Sequence, residues 1–176
     1  KGIMVEPVDE TFDAIKSHPN LIKDKCAIDT KNGFADFWIA DNPKQWANYE
    51  DVIGMCGLAD APGPLHVPVY KDRRQTIQVQ TMTLDTLLYK HGVTQVDYLK
   101  IDAEGKDVEI LMNYSFRIMP TNIKFEHVHY SGKVYDASVA GFDQEQFTIN
   151  YYKLLNRLEK MGYVVWEEQN DVYCFR

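Results

Sequence analysis

Apolar positions along the chain fall into short runs and helical stripes that alternate. Ile3-Met4-Val5 is an unbroken apolar run ended by Glu6-Pro7, the pattern of a strand covered on both faces. Val8, Phe12 and Ile15 then recur at helical spacing, with Asp9 placed to cap and His18-Pro19-Asn20 to stop the helix. A second strand fits residues 25–29. The turn Lys31-Asn32-Gly33 leads from it into the alternating stretch 34–39, which predicts a hairpin. From 41 to 74 no period holds: Asn42-Pro43, Gly54, Gly57, Ala61-Pro62-Gly63-Pro64 and Pro68 interrupt it, and a loop insert of that length inside a compact domain is usually a lid or a binding element.

Order returns with a strand over 75–81 and a short helix capped by Thr83, carrying Leu84, Leu87 and Leu88 and closed by Gly92. A strand over 96–101 precedes a helix whose Val108, Leu111, Met112 and Ser115 share a face. The strand over 122–126 is then expected to run parallel to the previous one, because a helix intervenes. Asp143 with Gln146 three residues later opens a long helix that buries Phe147, Tyr151, Leu154, Leu155, Leu158 and Met161 and stops at Gly162. Two strands, 163–166 and 172–175, flank the turn residues Gln169-Asn170-Asp171 as a terminal antiparallel hairpin. The alternation predicts an α/β fold built on a doubly wound, mostly parallel sheet, in a single domain over 1–176 with a loop insert at 41–74.

Composition narrows the partners. The 176 residues make one domain, and 19 Lys and Arg against 26 Asp and Glu leave a net charge of −7 with no basic run. That balance argues against nucleic acid as a partner. No apolar stretch reaches the ~18 residues that span a bilayer and no signal-peptide pattern opens the chain, so no membrane partner is expected. Cys26, Cys56 and Cys174 form no CxxC pair, and an odd number cannot all pair with one another; neither a disulfide framework nor a zinc site is suggested, and a reducing, cytoplasmic setting is expected. The first residue is Lys1 and a strand follows at once, which reads as a chain cut at its front. Oligomeric state has no sequence signal.

In a doubly wound sheet ligands sit beyond the carboxyl ends of the strands. Those ends carry Glu6-Pro7, Ala27-Ile28-Asp29, Asp102-Ala103-Glu104-Gly105 and Glu126-His127-Val128-His129. Glu6 is placed to accept hydrogen bonds from both hydroxyls of a ribose, or else to begin the helix at Asp9, where negative charge suits the dipole. Asp102 and Glu104, two residues apart beside a glycine, suit steering of a cationic or hydroxylated group together with base or metal-holding work; the rival role is capping of the next helix. His127 and His129 titrate near neutrality and point the same way on extended chain, so they are candidate bases or ligands, although no third metal ligand is signalled. Cys26 and Cys174 read as small hydrophobes, and Cys56 sits in the insert with no histidine beside it.

Val5-Glu6-Pro7, Thr83-Leu84-Asp85-Thr86-Leu87-Leu88, the run from Val96 through Leu99-Lys100-Ile101-Asp102-Ala103-Glu104-Gly105, and Ile123-Lys124-Phe125-Glu126 together resemble the FkbM family of S-adenosylmethionine-dependent methyltransferases. The resemblance implies a Rossmann-like class I sheet of seven strands with a C-terminal antiparallel hairpin, and S-adenosylmethionine as cofactor. It implies Glu6 and Pro7 at the cofactor ribose, Ala27 and Ile28 along the adenine, and Asp102 with Glu104 as the acidic turn facing the methyl group and acceptor. The family's first strand and glycine-rich turn have no counterpart here.

The expected chemistry is in-line displacement onto a hydroxyl of a sugar, glycan or other small molecule, with His127 or His129 as base and Asp102 orienting, under a cap formed by the 41–74 insert with Trp46 and Tyr49. Two alternatives stay open: a non-catalytic binding module of methyltransferase ancestry, and a metal-dependent hydrolase using Asp102, Glu104, His127 and His129.

Overall fold

The computed structural model describes residues 1–41, 56–61, 74–127 and 143–176. His129 and most of the 41–74 insert, Trp46 and Tyr49 included, lie outside the described residues.

Strand β1 (Gly2–Val5) pairs in parallel with β2 (Leu21–Asp24), in the register Gly2 to Leu21 through Val5 to Asp24, and helix α1 (Asp9–Ala14) connects them. Strands β3 (Ala27–Ile28), β4 (Gly33–Ala40), β5 (Gly57–Leu58) and β6 (Arg74–Met82) form a second sheet in the order β3-β6-β4-β5. After helix α2 (Leu84–Lys90) comes a third sheet built from β7 (Tyr98–Lys100), β8 (Asn122–Glu126), β9 (Val164–Glu168) and β10 (Asp171–Phe175), in the order β7-β8-β10-β9. Helix α3 (Asp107–Asn113) links β7 to β8, and α4 (Gln144–Lys160) precedes β9. β7 and β8 are parallel and the two pairings of β10 are antiparallel, as the intervening helix and the terminal hairpin predict.

The main core explains why these elements stay together. Leu111 and Val108 of α3, Phe125 of β8, Leu154 and Leu158 of α4 and Val172 of β10 are all fully buried in one cluster. Apolar residues spaced three and four apart turn one face of each helix onto the sheet residues that alternate inward. Ile3 and Val5 of β1 and Leu99 of β7 pack against the same cluster. A smaller cluster of Ala27, Phe37, Leu58, Ala61 and Val79 holds the second sheet.

Four expectations are corrected. The single doubly wound sheet is three sheets among the described residues, because β1 and β7 share a core without pairing with each other. β1 is not covered on both faces: Ile3 and Val5 are half-buried while Met4 is 46% exposed, and Tyr98 of β7 is 57% exposed. The strand expected over 25–29 is β2, ending at Asp24, followed by the separate two-residue β3; the chain changes sheets at Lys25-Cys26. The predicted hairpin does not form, since β6 lies between its arms, pairing in parallel with β3 and antiparallel with β4 over all eight residues of β4. Local alternation marks a strand, but its partner is chosen by which surface it buries.

The caps fall largely as read. The Thr83 hydroxyl accepts from Thr86 N at 3.2 Å and Asp143 Oδ1 from Gln146 N at 3.0 Å. Asp9 instead lies inside the first turn of α1, with Val8 at the N-cap.

The C-terminal end of α3 is closed by a side chain that no local signal announces. Arg157 of α4 donates through Nη1 to Leu111 O (3.2 Å) and Met112 O (2.7 Å) and through Nη2 to Tyr114 O (2.9 Å), with its guanidinium 4.9 Å from the Phe116 ring centre. The last carbonyls of a helix lack partners within it, and a planar fork is suited to satisfy several at once. Arg157→Met keeps the apolar stem and removes the fork, so we expect a loss of about 2–3 kcal/mol and a fall of about 4–12 °C in the thermal midpoint. Arg157→Lys should recover less than half of it. A calorimetric midpoint unchanged in the Met variant would refute this cap.

Candidate functional site

Backbone conformation singles out the turn after β7. Ile101 N donates to Lys124 O at 2.8 Å, carrying the parallel pairing one residue past the strand, and the chain then reverses through Asp102-Ala103-Glu104-Gly105 into α3. Glu104 has φ +48° and Gly105 φ +99°. Left-handed backbone costs nothing at glycine and of order 1 kcal/mol at a residue with a Cβ, so a glutamate there is held by its surroundings.

Three contacts hold it. Gly57 of β5 lies so close that a Cβ on it would stand 3.3 Å from Glu104 Cβ, so any other residue there would press on the turn by a few tenths of an ångström. Lys106, next in the turn, is 4% exposed and pairs with Glu109 Oε2 at 2.6 Å and Asp60 Oδ2 at 3.2 Å, tying α3 to the same segment. Burial works against its charge, but Glu109 and Asp60 outweigh that and raise its pKa. On the other side, Asp107 is fully buried; its Oδ2 accepts from Ala103 N and its Oδ1 from Glu126 N, both at 3.2 Å.

The carboxylate after β1 approaches the same place. Glu6 N donates to Asp24 O at 3.1 Å, extending the pairing of β1 and β2, and Glu6 Oε1 accepts from Val8 N at 2.8 Å. Burial raises its pKa, partly offset by the Val8 hydrogen bond. The Cys56 thiol feels Glu6 and Glu104 together: burial raises its pKa, the Ala40 backbone opposes that, and the two carboxylates raise it further. Gly57 thus rests on the turn after β7, and Cys56 beside it feels the charges of both Glu6 and Glu104, which are 98 residues apart in sequence.

The remaining predicted residues are spread around this point. Asp102 is exposed and paired with Lys100 Nζ at 2.7 Å. His127 is 1% exposed, its backbone N bonded to Asn170 O at 2.8 Å and its ring stacked on Tyr151 at 5.4 Å between centres and 15° between planes. Pro7 is half-buried beside Glu6, while Ala27 is buried and Ile28 half-buried in β3, in register with Thr81 and Met82 of β6. Cys26 and Cys174 are buried thiols pushed up to about 12, by burial first and for Cys26 by the Asp24 charge as well. Among the described residues no group of three or more His, Cys, Asp and Glu is arranged to hold a metal ion, and no helix is long and apolar enough to cross a membrane.

Sequence reasoning missed Asp107, Lys106 and the part played by Gly57. Asp107 reads locally as an acid in the first turn of a helix, where negative charge is common, and nothing in the string marks it as buried.

What these elements define is a mixed α/β domain in which acids follow the carboxyl ends of the parallel-paired strands β1 and β7, and a short segment of the second, mixed sheet packs on the turn after β7. The chain belongs to the FkbM methyltransferase family, the family model for the methyltransferase FkbM domain matching residues 1–165, and methyl transfer is its class of chemistry. Neither the curated proteins nor the solved structures give a match.

Proposed function

We propose that the domain moves the methyl group of S-adenosylmethionine to a hydroxyl of a sugar, glycan or other small molecule. The observation that carries this reading is the left-handed Glu104 held in the acidic turn after β7 against Gly57, with the charges of Glu104 and Glu6 both felt at the neighbouring Cys56 thiol. The donor set fits the group: carboxylates accept hydrogen bonds only, and the cofactor presents to them the two donor hydroxyls of a ribose and the positive charge of a sulfonium. Glu6, with Pro7 beside it, would hold the ribose, Ala27 and Ile28 the adenine, and Asp102 with Glu104 the methyl-bearing side. S-adenosylmethionine supplies, when bound, an electrophilic methyl carbon whose bond to sulfur breaks as the bond to the acceptor oxygen forms.

The chain's own contribution is positioning and proton handling. His127 is sealed beneath Tyr151, so in this reading Glu104 takes the hydroxyl proton while Asp102 orients the acceptor, and His129 is the alternative base. The acceptor site is the crevice rimmed by the 56–61 segment, in a protein that works without nucleic acid or membrane and in a reducing compartment.

Titration calorimetry of the intact protein with S-adenosylmethionine tests the cofactor assignment, and labelled cofactor with a panel of sugars and glycans tests the transfer. Glu6→Gln keeps the side chain's size but removes the charge that strengthens the ribose hydrogen bonds. We expect its affinity to fall about ten- to a hundredfold, with the ligand-free melting temperature within about 2 °C. Equal affinity with lower stability would assign Glu6 solely to its turn with Val8. No heat of binding in the unaltered protein would favour a binding module of methyltransferase ancestry.

A further inference from the structure

The Asp107 side chain touches two of the strand-end segments predicted from the sequence. Its Oδ2 takes the amide of Ala103, between Asp102 and Glu104, and its Oδ1 takes the amide of Glu126, at the end of β8 just before His127. Ala103 lies past the end of β7 at Lys100, and Glu126, still in register with Asp171 of β10, lies past Lys124, the last residue of β8 in register with β7. Gly57 and the Lys106 ion pairs hold one side of the turn, and Asp107 holds the other, so together they keep the left-handed Glu104 in place. A carboxyl group suits this work, since it presents two oxygens about two ångströms apart that accept from both amides when ionised and keep acceptor capacity when the group holds a proton. Its cost is desolvation: the group is fully buried, and Glu126, a second acid, lies against it. A buried acid kept at that cost, with both oxygens spent on the backbone of two candidate site segments, has a geometric task.

We propose that Asp107 is a positioning residue of the transfer site, a clamp whose two carboxylate oxygens set the acidic turn after β7 against the end of β8. It touches no substrate. It fixes where the Asp102 and Glu104 carboxylates stand relative to the crevice, and so how strongly they favour a positive sulfonium. This rests on the methyl-transfer reading given above.

The test compares two small molecules that differ by a methyl group and a charge: S-adenosylmethionine, a sulfonium cation, and S-adenosylhomocysteine, a neutral thioether. Asp107→Asn keeps the volume and one acceptor oxygen but turns an N–H₂ toward one of the two amides. We expect the ratio of the two affinities to shift toward the neutral thioether by about three- to tenfold. A residue that merely stabilises the fold would leave the ratio alone or weaken both ligands equally, and an unchanged ratio in a folded variant would overturn the proposal. Amide hydrogen exchange on the unaltered protein needs no variant to fold. The amides of Ala103 and Glu126 should be protected to the same degree as the interior amides of β8, and rapid exchange at either would remove the clamp. If neither ligand binds the unaltered protein, the methyl-transfer reading fails and with it the positioning role, while the exchange rates still report whether the two segments are clamped.

Discussion

Glu104→Gln should lower the rate of methyl transfer at saturating cofactor by about a hundredfold or more, well beyond the about three- to tenfold loss of affinity for S-adenosylmethionine that removing a carboxylate facing the sulfonium brings. The amide has nearly the shape of the carboxylate but cannot take a proton from the acceptor hydroxyl, and a positioned base contributes about 10²- to 10⁴-fold. The glutamate is held at φ +48° beneath Gly57, a place where a residue chosen for stability would be glycine. A second variant separates the chemical role from the structural one. Glu104→Gly relieves the left-handed strain and should leave the fold as stable or up to about 1 kcal/mol more so, whereas the same change at an ordinary position costs about 0.5–1 kcal/mol. Lost transfer together with a retained or raised melting temperature is the expected pair of results. Transfer that survives in both variants would move the base elsewhere, with His129 next to be replaced.

Stability should fall as pH rises from about 4 to about 7, and Asp107 should be the main cause. Burial pushes its carboxyl up to about 7, with Glu126 adding to the shift and the amides of Glu126 and Ala103 opposing it. The folded domain thus holds this proton more tightly than the unfolded chain, in which the group ionises near 3.8. Its contribution is fully present below that lower value and is lost as pH climbs through the upper one. A shift of about three units at 1.36 kcal/mol each is on the order of 4 kcal/mol. Glu6, also raised by burial, acts in the same sense. Asp24 acts in the opposite sense. Burial works against its charge, but Lys90 Nζ at 2.7 Å and His91 Nε2 at 2.6 Å overcome it, so its support is present above the ordinary aspartate range and is lost as pH drops through the lowered value. Urea unfolding at pH 5, 6, 7 and 8 should trace a decline that Asp107→Asn flattens. At pH 5 that variant should be the less stable, having lost an acceptor, and by pH 8 the gap should close. Identical slopes in the two proteins would show that Asp107 is ionised at little cost.

Most elements were legible because their signals are local. Thr83 and Asp143 cap helices through bonds that span three residues, the stripe from Phe147 to Leu158 turns one face of α4 inward, and a helix between 96–101 and 122–126 leaves a parallel pairing as the ready outcome. Apart from the cap read at Asp9, the places where local reading failed depend on what packs against the segment from far away in the chain. The arm at 34–39 alternates as a hairpin strand should, yet it pairs with β6 some forty residues on, because β6 is the surface that covers Phe37 and Val79. Ile3-Met4-Val5 looks like a strand buried on both faces, but a run of three apolar residues cannot report how many of its faces are covered.

The candidate site divides in the same way. The sequence by itself determined the family, the α/β character and which strand ends bear acids, since each of these is written in consecutive residues. Tertiary structure decided which acids meet. It set Glu104 against Gly57, buried His127 against Tyr151, left Asp102 in solvent beside Lys100, and placed Asp107 between two backbone amides from different segments. The physical reason is that a carboxylate's chemistry follows from its solvation and its neighbours, and both are properties of the packed chain, whereas a motif records only which residues are adjacent along it.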